Sequence, residues 1–210
     1  MRLAGAVTLV VIAAIANPGA QSDDVAGHYV LQGMTEVGSE LLLKPDGQFE
    51  FMLAYGAADY WARGTWRREK DAVILRSSGK KDEPFRFLRS EVGTPGRIRV
   101  WVMGKNGHGV SHIRVTLHAA DGDAEATTSG DGAAVFPDVA EPRAVSFEVR
   151  VYDVQAGPFD INPFHKDVYF EINGDAIQQV LFENESLVIE GTSLIMKHWG
   201  ADRPMRYQKQ

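Results

Sequence analysis

Alternation at period two, cut repeatedly by turn residues, constrains this chain more than any other feature. In "SELLLKPDGQFEFMLAYGAADYWARGTWRREKDAVILRSS" (residues 39–78) apolar side chains recur at every second position between turn-forming pieces. Successive side chains of a strand point to opposite faces, so this pattern builds a sheet with one apolar face. Pro45 presets its backbone angle and Gly47 permits a positive one, which makes "KPDG" a tight reversal. Phe49, Phe51, Leu53 and Tyr55 then share one face, and "YWARGTW", "AVILRS" and "PFRFLRS" continue the meander. No helical stripe of any length interrupts it, and the expected fold class is all-β.

A meander has two open edges, and open edges invite aggregation. The texture changes at "GTPG" (93–96), after which a compact set of strands carries its own turns, "GKNGHG", "ADGD" and "SGDG". "QAGPFDINPFHKD" (155–167) has no periodicity. The first texture then returns in "VYFEI", "AIQQVLFEN", "SLVIEG" and "SLIMKHW", with Asn173-Gly174 and Gly191 marking hairpin turns. Alone, these last strands form a unit of about 40 residues, near the lower size for a self-sufficient core. Pairing them with the first meander closes its edges. The sequence is therefore read as an antiparallel barrel or curved sheet over 24–92 and 167–208. It is interrupted by a β-sandwich over 95–155, with 156–166 as the return linker. The rival layout sets the units one after another.

Two resemblances sharpen this reading. "GHY" (27–29), "LLLKPDGQF" and "GTW" (64–66) resemble the small secreted lipocalin-like barrels, in a glycine–aromatic opening strand followed by a DG hairpin. The fuller lipocalin pattern and its disulfides are missing. "NGHGVSHIRVTLH" (106–118) and "ATTSGDGAAVFPDV" (126–139) resemble the transthyretin-like sandwich of carboxypeptidase-regulatory and related domains. That second resemblance implies an adhesive, spacer or accessory module without catalytic residues of its own.

The N-terminus reads as a leader. Arg2 precedes an uncharged run, "LAGAVTLVVIAAIA", followed by small residues that offer cleavage after Ala20 or after Ala16. The run is shorter than the roughly 20 residues a membrane span needs and it breaks at Pro18. The expectation is a signal peptide over 1–20, an exported chain, periplasmic or secreted, and no span once the leader is removed. The formal net charge is −6 and the only basic run, "GKK", is cancelled by Asp82 and Glu83, which argues against nucleic acid. The chain has no cysteine, so thiol catalysis, disulfides and Cys-type zinc sites are excluded.

Few residues offer chemistry. His112 and His118 share the outward parity of one strand, about 20 Å apart, and cannot share a metal. Asp160, His165 and Asp167 are the weak metal candidates, at the point where the chain leaves the sandwich. "DGDAE" and "SGDG" carry oxygens but read as ordinary turns. The aromatic residues Tyr29, Phe49, Phe51, Tyr55 and Trp66 are the ligand-binding candidates, because an eight-stranded barrel either encloses a small ligand or fills itself. Trp61 and Trp66 have opposite parity, so both line one interior only if a bulge intervenes near Gly64. No cofactor is expected. The functional expectation is a non-catalytic binding or interaction protein of the cell envelope, with a small hydrophobic ligand in an aromatic-lined barrel or an envelope protein as partner. The alternatives are a structural or adhesive module acting through the sandwich, and a metal-assisted enzyme at 160–167.

Overall fold

The computed structural model describes residues 24–137, 139–197 and 203–210, and the leader expected over 1–20 lies outside them. The first strands are β1 (Gly27–Gln32), β2 (Val37–Leu43), β3 (Gln48–Tyr55), β4 (Ala58–Glu69) and β5 (Ala72–Ser77). Next come β6 (Phe85–Glu91), β7 (Arg97–Gly104), β8 (Arg114–Ala119), β9 (Gly122–Thr127), β10 (Ala133–Pro137), β11 (Pro142–Val149), β12 (Val154–Asp160) and β13 (Asp167–Ile172). A short helix, α1 (Gly174–Gln178), precedes β14 (Glu183–Glu190), β15 (Ser193–Met196) and β16 (Met205–Lys209). Strands from the two ends of the chain close one antiparallel barrel in the order β1-β16-β15-β14-β5-β4-β3-β2. Tyr29 pairs with Lys209 on one seam and Val73 with Leu187 on the other.

Parity decides what the barrel holds. Leu41, Leu43, Phe49, Phe51, Leu75 and Tyr207 are at most 1% exposed and belong to one apolar cluster. The polar atoms carried into that cluster by tyrosine and tryptophan find partners. The Tyr29 hydroxyl donates to the Val25 carbonyl at 2.7 Å, and the Trp66 indole N–H donates to the Lys44 carbonyl at 2.8 Å. Ser39 Oγ donates to the Met52 carbonyl, so the Tyr207 hydroxyl, 2.8 Å away, donates to Ser39. No register shift occurs along β3, β4 and β5. Gly64 is there for closeness: a Cβ on it would collide with the Arg76 carbonyl and lie 2.7 Å from Ser77 Cα.

The remaining strands form two four-stranded sheets, β10-β7-β13-β6 and β12-β11-β8-β9, around a second apolar cluster that has no residue in common with the first. Two strands sit elsewhere than the sequence reading places them. β6 (Phe85–Glu91), within the expected 24–92 part of the barrel, pairs with β13, and Phe85 stacks on Phe147 of β11 at 4.3 Å. β13 (Asp167–Ile172), within the expected 167–208 part, lies between β6 and β7 and runs parallel to β7. The sandwich strands thus run from 85 to 172 and not from 95 to 155. The alternation of Val168, Phe170 and Ile172 marks a strand with one buried face, but alternation carries no information about which sheet buries it.

The expected linker 156–166 also begins as a strand: β12 pairs along β11 at the edge of its sheet. Edge strands tolerate proline because one side needs no donor, so Pro158 hid the strand without preventing it. "AIQQVLFEN" is not a strand throughout. Asn173 accepts the Ala176 N–H and caps α1, and β14 begins only at Glu183.

Candidate functional site at the barrel–sandwich junction

The structure separates the five aromatic candidates. Tyr29, Phe49, Phe51 and Trp66 are buried, between 1% and 5% exposed. They are packed against one another and against leucine, valine and methionine side chains of the facing strands. Tyr55 shares their parity but stands at the end of β3 and is 59% exposed. One end of the barrel is stoppered by the returning chain. Phe182 exchanges backbone and side-chain hydrogen bonds with Ser77 and sets its ring 5.1 Å from Phe51, edge on, and 6.0 Å from Phe49. Burial pushes the Tyr207 phenol well above the ordinary tyrosine range, and Ser39 opposes that only in part.

Open concave surface lies outside the barrel, where β4 meets the returning chain. β4 outruns its neighbour: Gly64 to Glu69 pair with β5, and Ala58 to Arg63 do not. That free stretch takes a bridge from Gln179 and an N–H from Val180 onto the Trp61 carbonyl. The sandwich joins here as well. The Tyr152 hydroxyl accepts Gln178 Nε2 at 3.2 Å, and the Tyr152 ring meets Tyr60 edge on at 5.5 Å. Burial first, then the neighbouring Tyr152 and Asp153, raises the Tyr60 phenol above its usual range.

Beside this seam runs a groove of about 640 Å³. Trp61 and Arg63, two outward residues of β4, line it with Met52 and Glu50 of β3 and with Asp175 and Gln179. The Arg63 guanidinium lies 5.4 Å over the Trp61 ring, and Met52 is 64% exposed. Glu50 accepts Lys44 at 2.5 Å and Asp175 accepts Lys105 at 2.8 Å, contacts that raise both ammonium groups above their ordinary range. A tryptophan, an arginine and a methionine presented together are the residue types enriched where protein surfaces meet. The opposed parity of Trp61 and Trp66 was the sequence signal for this wall; nothing in the sequence pointed to Tyr152 or Gln178.

Two of the metal candidates are engaged elsewhere. Asp167 is 4% exposed and both its oxygens take the Arg99 guanidinium, at 2.5 and 2.6 Å. His165 Nδ1 contacts Ser90 Oγ at 2.7 Å, and Asp160 is exposed at the end of β12 opposite Ala144. Among the described residues no three His, Asp or Glu side chains gather as a metal-holding group. His118 lies between Asp123 and Ser146, at 3.0 and 2.8 Å, while His112 precedes β8 and is exposed. In "SGDG", Asp131 accepts Ser129 Oγ and the Ala133 N–H, which hold its carboxyl below the usual range. Among the described residues no helix is long and apolar enough to cross a membrane. Comparison of the chain with protein-family models, with curated proteins and with solved structures finds no match.

Proposed function

We propose that this chain is an exported, non-catalytic binding and interaction protein of the cell envelope, periplasmic or secreted, that engages a protein partner through the junction groove. The observation that carries the reading is where its aromatic side chains lie. Phe49, Trp66 and Tyr207 are buried in the apolar cluster of the barrel, whereas Trp61, with Arg63 and Met52, lines an open groove. That distribution supports binding at the outer surface rather than in the lipocalin-like interior. The transthyretin-like resemblance of the sandwich supports the same reading, because such modules are mostly adhesive, spacer or accessory.

A photo-crosslinking amino acid at Met52, introduced in the native host, tests this. A discrete protein adduct is expected at position 52 and not at Val135, an exposed residue of β10. Arg63→Glu, at an exposed position, should reduce that adduct by about tenfold while leaving the melting temperature in place. Identical products at 52 and 135, or none at 52, overturn the proposal.

A further inference from the structure

A second concavity, of about 510 Å³, opens at the end of the sandwich where β8, β11 and β13 approach α1. It shares no lining residue with the junction groove. Its walls are apolar: Ile113, Val149, Ile172 and Ile177, one from each of the converging segments. Val151 also lines it and is 53% exposed, an aliphatic side chain left in water beside an aliphatic cleft. The volume falls within the range of about 300–1,000 Å³ usual for small-molecule sites.

Its lining carries no acid. In a chain with net charge −6, the titratable lining residues other than Tyr152 are His112, Arg114 and Arg150, with no carboxylate among them. The acids that serve these arginines are Glu148 and Glu125, and neither lines the cleft. Both guanidiniums lean on the one Glu148 carboxylate, at 3.3 and 3.4 Å, and Glu125 reaches Arg114 at 3.7 Å. These contacts are longer than the 2.7–2.9 Å of a well-made charge-assisted bond, which leaves N–H donors available to a further anion.

We infer that this cleft binds a single-chain amphiphile of the fatty-acid class, with its hydrocarbon chain on the isoleucine and valine walls and its carboxylate at Arg150. The apolar walls recognise the chain by burial, and the guanidinium recognises the head by charge.

Calorimetric titration of the intact protein with decanoate, decanol and decyltrimethylammonium tests this, using amphiphiles alike in chain and different in head. Decanoate should bind roughly tenfold more tightly than decanol, the size of one charge-assisted contact at a half-exposed site, and the cation should bind weakest. Lengthening the carboxylate by one methylene should tighten binding up to roughly fourfold until the cleft is full. Arg150→Glu, at a side chain 60% exposed, should abolish the preference for the anion without changing the melting temperature. Val151→Glu should weaken decanoate at least tenfold by placing a like charge at the mouth. Arg63→Glu, in the junction groove, should leave decanoate binding unchanged, which separates this site from the partner surface. Equal affinity for decanoate and decanol, no decanoate binding below its micelle concentration, or an undisturbed anion preference in Arg150→Glu overturns the inference.

Discussion

Tyr207 shows how much one side chain can decide. It is fully buried on the last strand and donates its proton to Ser39 on the second, so it ties the tail of the chain to its head. Burial holds the phenol neutral in the folded state, whereas an unfolded tyrosine ionises near pH 10. Below about pH 10 both states keep the proton and no slope arises. Above it the unfolded chain releases a proton that the folded chain retains, so stability falls as pH rises. Tyr29, also raised by burial and by Asp24, acts in the same direction. Tyr207→Phe should lose about 1 kcal/mol at pH 7, the worth of one buried hydrogen bond, and should unfold at a higher pH than the parent. Urea denaturation between pH 7 and 11.5 measures both effects, and an unchanged alkaline midpoint would contradict the assignment. Much at this scale was legible beforehand. The shared face of Phe49 and Phe51 and the opposed faces of Trp61 and Trp66 follow from counting by two. The exposure of Tyr55 does not, because parity says nothing about where a strand runs out of neighbours.

Among the elements, the segment between β13 and β14 does the most to shape the molecule. α1 walls both concavities, with Asp175, Ala176 and Gln179 in or beside the groove and Gly174, Ile177 and Gln178 at the cleft. Four residues later Phe182 stoppers the barrel. Phe182→Ala removes a ring that is 3% exposed and should cost roughly 3–5 kcal/mol, partly through the cavity left beside Phe51. Chemical denaturation gives the loss, and a value below 1 kcal/mol would show that the ring is not packed as described. This segment was misread from the sequence for an identifiable reason. Asn-Gly is the strongest short hairpin signal, and the same asparagine also makes a good helix cap. Local chemistry permits both, and only contact with β4 and the sandwich settles which forms. β12 was missed for the converse reason, since Gly157 and Pro158 read as loop where an edge strand tolerates them.

At the scale of the whole molecule, the barrel and sandwich are two separate apolar clusters on one chain, which crosses between them beside the β5–β14 pair. Ser77 closes β5 and bonds to Phe182 just ahead of β14, so the chain leaves the barrel and re-enters it at adjacent positions. Replacing residues 78–181 by Asn-Gly should therefore convert β5 and β14 into an ordinary hairpin and leave the eight-stranded order intact. The shortened chain should unfold cooperatively and give dispersed amide resonances. A molten product would mean that the sandwich is needed to hold the barrel closed. The closing of head and tail strands was legible because a lone meander and a lone forty-residue remainder are each poor solutions to edge pairing. The border of the interruption was not, because β6 and β13 carry the same alternation as the barrel strands, and their partners lie far off along the sequence.

Because β1–β5 lie before the sandwich and β14–β16 after it, a protease that nicks the chain once between 85 and 172 produces two fragments that each own only part of a cylinder. Neither fragment has a complete set of neighbours, yet they are stitched to one another along both the β1–β16 and β5–β14 seams. A nicked molecule should consequently migrate as a single species until denaturant is added, and the two fragments, expressed apart, should rebuild it on mixing.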